Sequence, residues 1–396
     1  MLRFLRGADT QDFVVIDSQF PQKDPFAFRN TEINEYMRRI VNFSSYTMYP
    51  MAPGNDAWFA HSYGMEQEAF AENKRGYEKH FPQNGTRISY LQKNRRYHFK
   101  LAYSYFLGET YVLLPFYEMH KVPFIFTLYP GGGFGLDFDK SDAMLEKIFS
   151  SPYFRGVIVT QQLTRDYLLK KKLCPPERIS YIYGGFVQFR PEDLKSKQFY
   201  GRDKTTFDIC FVGAKYTERG IDKGYDLFIA AAKIIAQAAP NARFHVVGGF
   251  DKNDIDSTEF EDKITFYGFR GPDFLSNFYA CMDIYLSPNR PRELYPGNFD
   301  GFPLGIDAGY CGVAMWITDE LKMNHHFDEQ KEIVVIPLDE VKIARMVLSA
   351  YQNPQELYEL SAQGQSRAAE LFDINFQITE RIKIYGRNIK LKMSEV

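Results

Sequence analysis

The stretch Cys281–Asp319 reads CMDIYLSPNRPRELYPGNFDGFPLGIDAGYCGVAMWITD. Near its ends lie two short apolar runs, Ile284–Leu286 and Val313–Thr318. Ser287-Pro288 closes the first and Gly312 opens the second, so both predict strands bounded by turn signals. The proline- and glycine-punctuated segment between them holds Asp300 and feeds a short helix that carries Asp307. Strand, loop, helix and strand in that order form one unit of a parallel sheet. A helix that opens from such a loop presents unpaired backbone N–H groups and the positive end of its dipole, which suits a phosphate. A carboxylate a turn further on can accept hydrogen bonds from sugar hydroxyls. On spacing alone, an ordinary βα connection with two solvated aspartates is the competing reading.

The alternation continues on both sides of this stretch. Strands are predicted at Phe207–Val212, Ala242–Val247 and Ile264–Phe266, with helices at Gly224–Ala238 and Phe274–Ala280. Beyond it come a strand at Glu332–Ile336 and helices from Asp339 and Pro354. The first half shows the same rhythm, with strands at Phe13–Asp17, Phe43–Tyr49, Arg87–Leu91, Val122–Leu128, Gly156–Thr160 and Ile179–Tyr183. Its helices are predicted over Thr31–Ile40, Gly108–His120 and Leu163–Lys172, with another capped by Asp139 or Ser141 and ending near Phe149. An aromatic region up to Gln83 shows no clear period. The polar run RPEDLKSKQFYGRDKTT, from Arg190 to Thr206, separates the halves. The expected organisation is α/β, with two Rossmann-like doubly wound domains over 1–195 and 207–372 and a linker over 196–206.

Three places in the chain resemble the retaining glycosyltransferases of family 4 (the glycosyl transferases of group 1), which have the GT-B fold. The first is Asp300-Gly301-Phe302-Pro303, followed by Leu304-Gly305, Asp307-Ala308 and Cys311-Gly312. In the family an acidic residue and a Gly-Phe turn lead into a helix that holds a second acidic residue. Here both acids are aspartates rather than glutamates, and they stand one position closer together; anchored on Asp307, the first would fall on Phe299. The second place is Gly213-Ala214-Lys215 with Lys223-Gly224. The family carries Gly-Arg and then Lys-Gly here, so the resemblance gives Lys215 and Lys223 the donor diphosphate; Thr217–Ile221 lengthen the spacing. The third is Thr127-Leu128-Tyr129, where the family strand ends in a histidine near the donor sugar. Tyr129 takes its position, and the glycine cluster Gly131-Gly132-Gly133 beside it departs from the family loop, implying altered donor or acceptor handling.

The resemblance implies two domains facing a central cleft, a C-terminal helix over 373–396 that crosses back to the first domain, and transfer of a sugar from a nucleotide-diphosphate sugar. The implied acceptor is a glycan or lipid-linked hydroxyl, the implied outcome is retention, and the implied setting is bacterial surface polysaccharide. Donor contacts fall on Gly213, Asp300, Gly301, Phe302, Pro303, Leu304, Gly305 and Asp307, and catalytic roles on Lys215, Lys223 and Tyr129. Such chemistry calls for no metal and no cofactor beyond the sugar nucleotide. Two other classes remain open: a GT-B epimerase of nucleotide sugars, for which no clear acid/base set is visible, and a non-catalytic sugar-binding protein.

Composition bounds these readings. The chain has 396 residues, 45% hydrophobic and 25% charged, enough for two full cores in a globular protein. A net charge of −2 provides no field that selects nucleic acid. The 36 Phe and 27 Tyr are unusually many; most must be core, and some can supply stacking platforms for bases or sugars. Cys174, Cys210, Cys281 and Cys311 lack paired spacing and read as reduced. No apolar run approaches a membrane span, which sets the expectation of a cytoplasmic protein. The basic run Lys93–Lys100 offers a contact with anionic lipid or a lipid diphosphate, which would place the protein peripherally at the membrane; a solvated helix face is the alternative. Asp137-Phe138-Asp139 and Asp254-Ile255-Asp256 match a metal-binding triplet, but a helix cap and a polar loop explain them better.

Overall fold

The computed structural model describes residues 9–23, 28–299 and 305–394. The chain forms two compact units, Met1–Phe186 with Ile374–Val396, and Val187–Asp373. Among the described residues the first is built on seven strands: β1 (Asp9–Asp17), β2 (Phe43–Thr47), β3 (Ile88–Tyr90), β4 (Tyr97–Tyr105), β5 (Phe124–Leu128), β6 (Phe154–Val159) and β7 (Ile179–Tyr181). They pair in parallel in the order β3-β2-β1-β4-β5-β6-β7, so the winding reverses between β1 and β4. Every residue of β5 is buried, as a strand covered on both faces requires.

The basic run is not a helix face. It ends in β4, the centre of the sheet, where Tyr97 and Phe99 point inward and His98 and Lys100 outward before the strand becomes buried throughout. Lys100 pairs with Asp12 on β1, at 2.5 Å. The region without a clear period contains a helix, Gln67–His80, which buries Phe70 and Tyr77. The helix Asp139–Phe149 has Phe138 at its N-cap and no side-chain cap. Asp139 is already helical, and the Ser141 hydroxyl donates instead to the Gly135 carbonyl, at 2.9 Å.

The helix Ile374–Gly386 belongs to the first unit. Its Ile378, Arg381 and Tyr385 are fully buried. The Arg381 guanidinium lies 3.5 Å from Glu32 and donates to the Gln377 carbonyl, and the Tyr385 hydroxyl meets that of Tyr36 at 2.9 Å.

Among the described residues the second unit has six strands: β8 (Phe207–Gly213), β9 (Ala242–Gly248), β10 (Ile264–Gly268), β11 (Ile284–Ser287), β12 (Ala314–Ile317) and β13 (Val334–Val335). Their order, β10-β9-β8-β11-β12-β13, is again parallel and reverses between β8 and β11. Phe211, Phe228, Phe244, Ile284, Trp316 and Val347 share its core with the helices Tyr225–Ala238 and Glu340–Gln352.

The polar segment before β8 is strapped onto this unit rather than free. Lys204 bonds to both Asp208 and Asp283 at 2.6 Å, and the Gln198 amide donates to the Ala280 carbonyl at 2.9 Å. Its charges find partners up to 85 residues away, so polarity alone made it resemble a linker. Burial pushes the Asp208 carboxyl up, but the His245 hydrogen bond (2.7 Å) and the Lys204 charge outweigh it and hold the pKa at about 2.

Candidate functional site

Ligands of open parallel sheets sit outside the carboxyl ends of the strands, where the winding reverses. In the second unit that place lies between Gly213, the last residue of β8, and Ser287-Pro288 at the end of β11. Here the chain demands glycine. Gly224 has φ +69, and a Cβ on it would lie 1.8 Å from the Pro288 carbonyl oxygen. Gly248, at the end of β9, has φ +127 and would place its Cβ 1.8 Å from the Gly213 carbonyl oxygen. The loops after β8, β9 and β11 therefore touch backbone to backbone. The Arg290 amide donates to the Asp222 carbonyl (3.0 Å), its guanidinium to the Asp226 carboxylate (2.8 Å), and the Thr318 hydroxyl to the Asn289 carbonyl (2.7 Å). Gly224 also starts the 14-residue helix Tyr225–Ala238, whose first-turn amides have no intrahelical acceptor.

Lys223 lies beside Gly213, and Lys215 beside Gly249. The Lys223 stem passes 4.0 Å from the Cβ position of Gly213, and its ammonium sits 5.3 Å from the centre of the Tyr216 ring. The Cβ of Lys215 lies 3.6 Å from the Cβ position of Gly249, and its ammonium pairs with Asp254 at 2.5 Å. Asp254 also accepts the Asp251 amide at 3.0 Å. Burial raises its proton affinity, but the Lys215 bond and that amide bring the pKa below the usual carboxylate range. Asp256 turns to the amide and hydroxyl of Thr258, so the two ends of this triplet serve different partners. Among the described residues no group of His, Cys, Asp and Glu is placed to hold a metal ion.

Asp307 lies in a short helix, Ile306–Tyr310, and both its oxygens are engaged by Gln188, one by the amide (3.0 Å) and one by the side chain (2.8 Å). Burial raises its pKa and those two bonds pull it back. Gly305, with φ +66, packs on Tyr285, whose hydroxyl reaches the Val212 carbonyl at 3.4 Å; this links it to the end of β8. Asp300, Gly301, Phe302, Pro303 and Leu304 lie outside the described residues.

The remaining sequence candidates stand in the first unit. Tyr129 is 9% exposed, packed between Phe28 and Phe106 at 5.1 and 5.3 Å, and its hydroxyl is buried. Burial and the Glu32 charge raise its pKa well above the ordinary tyrosine value. Of the glycine cluster, Gly132 accepts the Gly108 amide (2.8 Å) and Gly133 accepts the Trp58 indole N–H (2.9 Å). A Cβ on Gly132 would meet the Phe106 ring at 2.5 Å, whereas one on Gly131 would meet no atom within 4 Å among the described residues. Two of the three glycines are thus accounted for by packing on the start of the helix Leu107–His120.

Sequence reasoning passed over Gly249, Asn289, Arg290 and Phe269. Phe269 is 72% exposed just after β10, and its ring lies 3.3 Å from the Cβ position of Gly249. Asn289 is buried, with its amide donating to Ser287 at 2.6 Å and its Oδ1 without a donor among the described residues. The available signal was positional: each follows a strand end, at Gly248, Ser287 and Gly268.

Residues 206–353 match the family glycosyl transferases group 1, a span that contains the whole switch-point crevice. No match is found among curated proteins. Solved structures share the fold. HepE from Anabaena, solved in complex with UDP and glucose, superposes with a TM-score of 0.66 at 13% identity, over 95% of this chain and 100% of that one. Sucrose-phosphate synthase from Thermosynechococcus elongatus gives 0.64 at 13% identity, over 95% and 98%. The pneumococcal O-GlcNAc transferase GtfA, with UDP and GlcNAc, gives 0.52 at 16% identity, over 81% and 60%. Each unit is thus a Rossmann-like parallel-sheet domain of the kind found in GT-B glycosyltransferase structures, and the second contains the stretch that matches the group 1 family.

Proposed function

We propose that this chain is a glycosyltransferase that moves a sugar from a nucleotide-diphosphate sugar to a hydroxyl of a glycan or lipid-linked acceptor. The observation that carries the reading is that Lys223 beside Gly213 and Lys215 beside Gly249 stand at the ends of β8 and β9, within the stretch that matches the group 1 family. Transfer breaks the bond between the anomeric carbon and the diphosphate, so negative charge grows on the leaving group as the sugar becomes oxocarbenium-like. Two ammonium groups and the first turn of the helix Tyr225–Ala238 stabilise that charge most where it is greatest, in the transition state. Phe269 offers its exposed ring to the base. Asp307 fixes the ribose, since a carboxylate has acceptor capacity beyond the two bonds that Gln188 uses. Retention, a metal-independent mechanism and a place in bacterial surface polysaccharide assembly belong to the same reading and rest on the family resemblance.

Incubation with labelled UDP- and GDP-sugars, with and without glycan acceptors, is expected to give transfer that survives EDTA. Lys223→Met and Lys215→Met are each expected to lower kcat/KM by about 10²-fold, with part of the loss in kcat. Wild-type turnover in Lys223→Met would overturn the reading. Epimerised donor without transfer would replace it with the epimerase, and binding without any product would replace it with a sugar-binding protein.

A further inference from the structure

The charge on Lys215 is already answered inside the protein. Its ammonium lies 2.5 Å from the Asp254 carboxylate, and the two side chains are 33% and 12% exposed. The carboxylate is held in place by its own turn. The Asp251 amide donates to it at 3.0 Å, the Asp254 amide donates back to the Asp251 carbonyl at 3.2 Å, and the Asn253 amide donates to the Asp251 side chain at 2.7 Å. The turn is also tied to the helix at the switch point, since the hydroxyl of the buried Tyr225, its first residue, reaches the Asp251 carbonyl at 3.4 Å. The anion is therefore fixed relative to the helix N-terminus that faces the crevice, and need not be organised when a ligand leaves.

We propose that Asp254 is a built-in counter-anion that competes with the donor's diphosphate for Lys215, and so sets how quickly the nucleoside diphosphate product is released. The inference rests on the reading of Lys215 given above and extends it to a residue with a different role. A diphosphate that enters the crevice must share or displace a carboxylate already bonded to the ammonium, and it meets the negative charge of that carboxylate at short range. Both effects weaken the grip on the product. The same ion pair keeps Lys215 compensated while the site is empty, avoiding an isolated charge beside partly buried backbone. Asp254 touches no reacting atom and acts on the diphosphate chiefly through Lys215, which makes it a positioning residue and not a catalytic one.

The test is a double-mutant cycle read by calorimetry with inorganic pyrophosphate and with UDP and GDP as probes. Asp254→Asn keeps the acceptor for the Asp251 amide and removes the charge. It is expected to tighten binding of the pyrophosphate and of the accepted nucleotide about 10-fold, to lower kcat through slower release, and to leave kcat/KM unchanged or raised. In a Lys215→Met background the same substitution should change affinity less than about 2-fold, because its target is gone. Asp254→Glu should restore wild-type affinity. Unchanged or weaker binding in Asp254→Asn, alongside weakened binding in Lys215→Met, overturns the counter-anion while leaving the diphosphate site standing. If Lys215→Met and Lys223→Met both bind the probes like the wild type, the diphosphate site itself falls, and the counter-anion falls with it.

Discussion

The two units reverse their winding at equivalent places, between β1 and β4 and between β8 and β11, yet they fill those places differently. In the first unit the carboxyl end of β1 is closed by the protein's own charges. Arg29 bonds to both Asp17 and Glu109, the Ser18 hydroxyl donates to Glu109 at 2.5 Å, and the Arg29 guanidinium lies over the Tyr105 and Phe106 rings at 5.2 and 5.0 Å. In the second unit the same position is made of backbone, with Gly213, Gly224 and Gly248 packed loop against loop and two lysines at the surface. A crevice lined by amides and partly exposed ammonium groups can receive an anion; one already occupied by a buried ion triad cannot do so without breaking it. One fold repeated twice thus yields one end that is built for stability and one that is open to a ligand.

Removing the positive member of the triad should do the most damage. Arg29→Met leaves Asp17 and Glu109 buried together without compensation and should cost about 3–5 kcal/mol, read as a shift in chemical denaturation. A loss below about 1 kcal/mol would mean that the triad does not close the first unit's crevice. Gly224→Ala tests the other side. Its Cβ would run into the Pro288 carbonyl in a left-handed backbone, so a cost of about 2–4 kcal/mol and a loss of nucleotide binding are expected.

Acidity separates the units further. The Asp208 pKa falls from 3.8 in the unfolded chain to about 2 in the fold. Its stabilisation is therefore present above pH 4 and is lost as the pH drops through about 2. Asp208→Asn should remove about 2 kcal/mol at pH 7 and flatten the acid limb of a stability–pH curve. Glu109 shifts the opposite way. Burial and the Asp17 charge push its pKa from 4.5 up to about 7, with Arg29 and Ser18 pulling against them. Its contribution is full below pH 4.5 and is lost as the pH rises through about 7, so Glu109→Gln should flatten that limb instead. The mildest change is Gly131→Ala, which meets no atom within 4 Å and suffers only from its φ of +77, a cost of about 1 kcal/mol. A much larger cost or a change in activity would return the glycine cluster to the list of ligand-binding loops.

The alternation of strands and helices was legible because buried parallel strands leave compact apolar runs between turn residues. β4 was missed although Tyr97-His98-Phe99-Lys100 alternates with period two. Its cations drew the reading toward a helix face, while the strand needs only every second side chain inside. The straps of Lys197 and Lys204 could not be read, since their acceptors at Met282 and Asp283 come from a distant part of the chain. The same holds at the site. Gly213, Lys215, Lys223 and Gly224 were found because they crowd one strand–helix junction, whereas Asp254 lies 39 residues from Lys215 and looked like half of a metal triplet. Long-range pairing leaves no period and no motif, so it becomes visible only once the strands are ordered.

The central claim is that the open crevice of the second unit receives the nucleotide diphosphate. Amide hydrogen exchange with and without UDP or GDP tests it residue by residue. The largest protection is expected at 213–216, 223–227 and 289–290, with little change at 17–20 and 107–110 around the ion triad. Protection centred on the triad, with the 213–227 segment unaffected, would contradict the account.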